Sequence, residues 1–571
     1  MKWLAALALC VPGCQAEMER RANSNTTGSP YLRRAMHSIV VLNDILYIEG
    51  GQIATYSDGE EENSYPSVGV NQTLSLSLSE SWTNSSEIFD TIDHGDMRSV
   101  YEFSLWADSN SGNIYRWGGN TVFQIETSSD DETLWALVTD GSGGGTWSTS
   151  KPADSSVFNS IYQTVQGAAA YCGDLGFYLG GFGSNGSDPK IDISVNDVAL
   201  PIPGLLTYNM SSRAWSNESA VPMNSPDGTF AKGEAICFDK FGPNRLLMVF
   251  GGDSPSRTSA DDFKLNGFSN VTFYDPISKQ WHWQSTRGEM PDEREYFCAV
   301  GAHGLNGTYE IFVYGGRGES ADAIGDIHIL SLPGFQWFKT NITAPARVFH
   351  DCALVGRSQM VVVGGLTMQF EWQEPDPWKQ GLGILDLNAL EWSDRYNVDS
   401  SDYTSPVIVL DWYENGGLDT VDWSTNDVRE LFSSAYVGST SSSSSATASS
   451  TSERSKSTPT GAIAGGVVGG VVFLCLVGIG AWVFRRKRKT VNNVKLQVST
   501  DNKKEGVVGG QPAHELNNPE TFELDSGMAP WQQPGHGRQE LHSISVSGDG
   551  SSTTEQRPWQ VESFSRHELH A

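Results

Sequence analysis

The residues that could do chemistry on this chain are few, and their spacing does not favour it. Upstream of residue 461 the histidines are His37, His94, His282, His303, His328 and His350, none adjacent to a tyrosine or to another histidine. Copper-radical oxidation needs a redox tyrosine cross-linked to cysteine, a second tyrosine and two histidine ligands, usually with Tyr and His side by side. That pattern is missing. Glycoside hydrolysis needs two carboxyls placed across one bond. Asp261 and Asp262 are adjacent, but in a chain with 68 acidic residues nothing sets them apart from solvated loop charge. No phosphate-cradling glycine loop, zinc motif or nucleophile elbow occurs. No residue is therefore assigned as catalytic, and no cofactor or metal is expected.

Cysteine is the other reactive side chain. Cys172, Cys237, Cys298 and Cys352 occupy comparable places in successive apolar segments, and an even count suits disulfides in an oxidising compartment. Equivalent positions in neighbouring repeats can exceed the roughly 7 Å Cα limit for a bridge. Two bridges and four buried thiols therefore both stay open.

The elements that must position these residues announce themselves as a repeat. Six Gly-Gly doublets end short apolar runs at Gly50-Gly51, Gly118-Gly119, Gly180-Gly181, Gly251-Gly252, Gly315-Gly316 and Gly364-Gly365, spaced 68, 62, 71, 64 and 49 residues apart. Each is followed by a tryptophan: Trp82, Trp147, Trp215, Trp281, Trp337 and Trp392. In the first unit Ile39-Val40-Val41-Leu42, the turn Asn43-Asp44 and Ile45-Leu46-Tyr47-Ile48 read as a tight hairpin ended by the glycines. A third strand, such as Val271-Thr272-Phe273-Tyr274, and a fourth carrying the tryptophan complete the unit. Tyr208 and Tyr274 precede their tryptophans by seven positions, as do Leu330 and Leu385, whereas units one and two break that spacing.

Four-stranded sheets of this size cannot bury both faces alone, so they stack radially and ring closure protects their edges. An all-β, six-bladed β-propeller is expected. The pattern resembles the kelch repeat, whose signature is an apolar strand, Gly-Gly, a loop, then Tyr, six residues and Trp; the resemblance covers residues 31–395. Arg34 with His37 and Arg347 with His350 match the Arg and His that kelch repeats carry at unit starts for structural reasons. The apolar run Pro406-Val407-Ile408-Val409-Leu410, in a post-propeller segment 396–432, reads as a closing strand, with the remnant of a seventh blade as the alternative. Thr139 to Trp147 has the Asp turn and Gly-X-Thr-Trp ending of a sialidase Asp-box, but occurs once and with the wrong spacing.

Flanking segments set the topology. Residues 1–16 read as a secretory signal peptide. Residues 461–484 carry no charge and are followed by Arg485-Arg486-Lys487-Arg488-Lys489, which predicts a single transmembrane helix with its basic flank in the cytosol. A Ser/Thr-rich stalk, 433–460, joins propeller to span, and 485–571 is expected to be a disordered cytoplasmic tail. Acceptor motifs for N-glycosylation begin at Asn25, Asn71, Asn84, Asn185, Asn209, Asn217, Asn270, Asn306 and Asn341, all before the span. The tail has 11 basic and 11 acidic residues, so the formal charge of −30 belongs to the exterior part and disfavours nucleic acid as a partner. Gly461, Gly465 and Gly469 fall four apart, a spacing that allows helix dimerisation in a membrane.

As a whole the chain resembles the single-pass kelch-containing membrane proteins of filamentous fungi, which implies a plasma-membrane or secretory-pathway location. The function expected is a receptor, adhesion or scaffold module without its own catalysis. Its partner would be an extracellular protein or a cell-wall glycan bound through loops such as 58–70 and 184–198. The alternative is a propeller enzyme of the galactose oxidase or sialidase type.

Overall fold

Asn43 and Asp44 both adopt left-handed backbone, with φ of 53° and 57°, the type I′ geometry that lets Ser38–Leu42 and Ile45–Glu49 pair as a two-residue hairpin. In the computed structural model this unit recurs along the chain. The structure describes residues 31–433 apart from 56–66, 87, 122–132, 194–198, 221–226, 243–244, 258–263, 305, 321 and 369–370. The described residues all fall within the compact unit 1–446; the second unit, 447–571, lies outside them. So do the signal peptide, Asn25, Asp261, Asp262, the span with Gly461, Gly465 and Gly469, and the tail. Among the described residues no helix is long and apolar enough to cross a membrane.

The fold is all-β. Six sheets follow one another in chain order, here numbered I to VI, each built on a four-stranded antiparallel meander; sheet V adds a short fifth strand, Arg287–Gly288, which pairs in parallel with its last strand, Gln336–Lys339. Their first strands are Ser38–Leu42, Ser104–Asp108, Ala168–Cys172, Glu234–Phe238, Glu295–His303 and Asp351–Val355. Five of their second strands stop just before a glycine doublet, and that of sheet V, Tyr309–Arg317, runs through its doublet.

The second strands are buried along nearly their whole length, on both faces, and the buried side chains sort into separate cores between consecutive sheets. Val40, Ile45 and Tyr47 of sheet I meet Leu105, Ile114 and Trp147 of sheet II. Trp106 and Trp117 of II meet Tyr208 and Trp215 of III. Cys172 and Phe177 of III meet Leu247 and Tyr274 of IV, and Phe250 and Phe273 of IV meet Ile311 and Trp337 of V. Phe312 and Ile329 of V meet Met360 and Leu385 of VI. The sixth core joins VI to I, with Val361, Val363 and Ile384 against Leu46, Ile48 and Leu76.

The seven-residue spacing has a direct cause. Tyr208 lies opposite Trp215, Tyr274 opposite Trp281, Leu330 opposite Trp337 and Leu385 opposite Trp392, each a cross-strand pair of the third and fourth strands. Trp147 pairs with Leu137 across a longer hairpin. Trp82 departs from the expectation. The fourth strand of sheet I is Asp90–Asp93, and Trp82 sits in the preceding connection, where Trp82–Thr83 pairs with Arg395–Tyr396. Its indole stacks on Tyr396 at 5.3 Å, inside the core between sheets VI and I.

The expected closing strand is also corrected. Val407–Glu414 is an α-helix that buries Val409 and Tyr413 over sheets V and VI and leaves Val407 and Ile408 exposed. The i, i+4 pair Val409 and Tyr413 is buried, Trp412 packs partly buried against the same core, and Gly416 in left-handed backbone (φ 80°) follows the helix end. Sheet I, which such a strand would complete, already draws all four of its strands from 38–93.

Candidate binding site among the first strands

The glycine doublets explain how the sheets are joined at one end. All twelve glycines take left-handed φ, from 57° at Gly50 to 101° at Gly119. The second glycine of each doublet donates its N–H to the carbonyl of the residue leading into the next sheet. The pairs are Gly51 to Val100 (2.9 Å), Gly119 to Thr164 (3.2 Å), Gly181 to Phe230 (2.7 Å), Gly252 to Arg294 (2.9 Å) and Gly316 to Arg347 (2.8 Å). The sixth, Gly365, donates to Arg34 at 2.7 Å, at the head of sheet I. A Cβ on the first glycine would run into the same lead-in segment, as at Gly118, where it would lie 2.4 Å from Thr164 O.

Two residues after each of these carbonyls stands a non-glycine residue in left-handed backbone: Met36, Glu102, Gln166, Lys232, Tyr296 and Phe349, with φ between 55° and 61°. Four backbone bonds link them: Met36 N–H to Phe349 O (3.0 Å), Glu102 to Met36 (2.9 Å), Lys232 to Gln166 (2.7 Å) and Tyr296 to Lys232 (2.9 Å). Left-handed backbone costs a residue with a Cβ on the order of 1 kcal/mol, and such strain clusters where a site requires it.

These six residues form the mouth of a cavity of about 500 Å³ lined by the first strands of all six sheets. One side of the mouth is polar: Gln166 Nε2 donates to Glu102 Oε2 at 2.8 Å. The opposite side is aromatic, with Tyr296 and Phe349 ring centroids 4.2 Å apart. Between them Lys232 places Nζ 2.8 Å from Asp253 Oδ2 and 3.1 Å from Glu295 Oε2. Arg317 bonds Glu295 and lies over the Tyr296 ring.

Deeper in, the wall carries Glu234, Asp351, His37 and His350. Asp351 accepts from Ile39 N–H at 2.9 Å and Cys352 N–H at 2.8 Å, yet burial still pushes its carboxyl up to about 7. Burial, reinforced by the charge of Asp351, raises Glu234 well above the usual carboxylate range. Burial also pushes Glu102 up to about 7 against the opposing pull of Gln166 and Lys232. His350 is pushed down to about 3 by burial and by Arg347 behind it, and His37 is lowered by burial, Arg34 and His350. Both imidazoles are therefore neutral. His350 Nε2 lies 3.2 Å from Tyr314 O, which can only accept, so Nε2 carries the hydrogen and Nδ1 is a lone pair.

The four cysteines form bridges Cys172–Cys237 and Cys298–Cys352, with Cα separations of 5.7 and 5.8 Å. First strands are where neighbouring sheets approach most closely, which brings equivalent segments inside the bridging limit. The bridges tie sheets III to IV and V to VI. They also leave no thiol among the described residues for a tyrosine cross-link, and no group of three His, Cys, Asp or Glu side chains there can hold a metal. The Asp-box-like run is a hairpin turn in sheet II, its Asp140 carboxylate accepting from Ser142 and Gly144 N–H groups.

Of the glycosylation acceptors, Asn71, Asn185, Asn217, Asn306 and Asn341 are exposed, and Asn209 and Asn270 are half-buried. Asn84 is a correction: it is 5% exposed and its Nδ2 donates to Leu382 O at 2.9 Å, so the folded chain has no room for a glycan there.

The mouth residues escape a reading of the sequence because they share a backbone conformation and no side-chain type. A scan against protein-family profiles finds no match. A stretch of 123 residues is 29% identical to dynein regulatory complex subunit 7 of Chlamydomonas reinhardtii, covering 21% of this chain and 10% of that protein. The chain thus spans about a tenth of the length of that relative.

Proposed function

We propose that the chain is a recognition module: a six-bladed β-propeller of kelch type, held outside the membrane on its Ser/Thr stalk and single span, that binds an extracellular protein or glycan without catalysis of its own. The observation that carries this reading is the axial cavity. Six strained backbones converge on one mouth that pairs an aromatic side with a hydrogen-bonding side, the composition expected of a ligand site. The propeller assignment is supported by the bond from Gly365 to Arg34, which repeats between sheets VI and I the link found between every other consecutive pair. The extracellular location is supported by the two disulfides.

Proximity labelling from the full chain in living cells, with wild type and Gln166→Trp compared, tests the reading. Partners labelled by wild type should be lost when the mouth is filled, and retained in Asn341→Gln, which alters an exposed position away from it. Identical labelling by all three, or turnover of an alcohol, sugar or sialoside by the purified protein, would refute it.

A further inference from the structure

The cavity is short of positive charge. Its lining includes three carboxyls, Glu102, Glu234 and Asp351, and one side-chain cation, Lys232. That ammonium is already held by Asp253 and Glu295. Nδ1 of His350 and both ring nitrogens of His37 are buried without a partner, and these residues are only 7% and 6% exposed. For His350 the vacant atom is an acceptor, because its other nitrogen donates to Tyr314 O. The Nδ1 lone pair of His350 is thus open to a donor. The mouth already favours cations near its rings: Lys232 Nζ stands 5.7 Å and Arg317 Cζ 5.4 Å from the Tyr296 centroid.

Resting on the reading of this mouth as the binding site, we propose that the cavity takes a protonated amine or guanidinium, presented as a lysine or arginine side chain of a basic partner. The cation would pass between the Glu102–Gln166 pair and the Tyr296–Phe349 rings and donate to Asp351, Glu234 and the vacant imidazole nitrogen. An anion would meet three carboxyls.

The charged and titratable groups facing the site are His37 from sheet I with Arg34 behind it, Glu102 from II, Tyr171 from III, Lys232 and Glu234 from IV with Asp253, Tyr296 from V with Glu295 and Arg317, and His350 and Asp351 from VI with Arg347 and its partner Asp376. Of these, Glu102 and Asp351 change charge near neutrality, and both become acceptors for a cation as pH rises.

Calorimetric titration of the detergent-solubilised full chain tests this, with a capped Gly-Arg-Gly peptide, spermidine and glucose as probes at pH 5.5 and 8.0. The peptide should bind at pH 8.0 at least about tenfold tighter than at pH 5.5 and release protons on binding. Glu234→Gln/Asp351→Asn should abolish binding. Asp292→Asn, an exposed carboxylate elsewhere, should not change it, and Glu102→Gln should weaken it if the double variant fails to fold. Spermidine binding in place of the peptide would keep the chemistry and assign its source to a free polyamine. Glucose binding with neither cation, or a cation bound equally at both pH values and in both variants, would overturn the proposal. If no probe binds while Gln166→Trp still loses its labelled partners, the cation inference falls and the mouth remains the site.

Discussion

Charge is handled differently in the ion-paired clusters beside the strands and in the cavity lined by the first strands. Beside the strands several buried charges are matched by an ion pair. Glu49 receives His94 Nε2 at 2.9 Å, Arg116 at 3.0 Å and Thr73 at 2.5 Å. Arg347 grips Asp376 at 2.6 Å beneath the Trp378 ring, and Arg294 grips Asp326 at 2.5 Å. These partners hold Glu49 and Asp326 below the usual carboxylate range. On the axis the carboxyls of Glu234 and Asp351 are raised instead, and two imidazoles keep vacant nitrogens. A buried charge that is matched supports the fold, whereas one left unmatched has a cost that a ligand can relieve. The difference separates what assembles the molecule from what it offers to a partner.

The comparison is broken most severely at the seams. Gly180→Val would place a Cβ 2.1 Å from Phe230 O in backbone with φ of 69°, and should cost more than about 4 kcal/mol, read as loss of the cooperative unfolding transition in denaturant melts. Replacing Cys298 and Cys352 together with serine opens a loop of 54 residues and should cost about 4 kcal/mol in denaturant melts. Glu49→Gln leaves Arg116 with an uncharged partner in the core and should cost about 3 kcal/mol at pH 7. Because Glu49 is depressed in the fold, its contribution is present above the ordinary glutamate range and lost as pH falls through its folded value, so wild type and variant should converge in acid.

Asp351→Asn should behave in the opposite sense, and by less. The carboxyl of Asp351 is raised to about 7, so its favourable contribution exists below about 4 and disappears as pH rises through 7. Thermal melts should therefore show the variant gaining on wild type between pH 4 and pH 8, by at least about 1 kcal/mol. A gain that shrinks with rising pH would mean that the axis is as well compensated as the seams.

Much of the scaffold was legible in the residues and little of the site. Gly-Gly at six positions marks the second-strand ends, or in sheet V a point near the end, because a Cβ there would collide with a neighbouring segment. The Tyr-to-Trp spacing of seven is the length of a hairpin that places the two opposite each other. Trp82 misled because its unit inserts an extra short strand, and the 406–410 run because apolar residues without alternation fit a helix as well as a strand. The disulfides stayed undecided because their distance depends on how closely first strands approach an axis. The mouth was invisible because Met36, Glu102, Gln166, Lys232, Tyr296 and Phe349 have only their dihedral angles in common.

An axial site exists only if sheet VI meets sheet I. Amide hydrogen exchange at Gly365 measures that contact directly, since its N–H bonds Arg34 O across 331 residues of chain, whereas Gly119 and Gly181 bond the sheets that follow them. Protection of Gly365 comparable to that of Gly119 and Gly181 is the predicted result. Exchange at Gly365 faster by orders of magnitude, with the other two protected, would contradict the account.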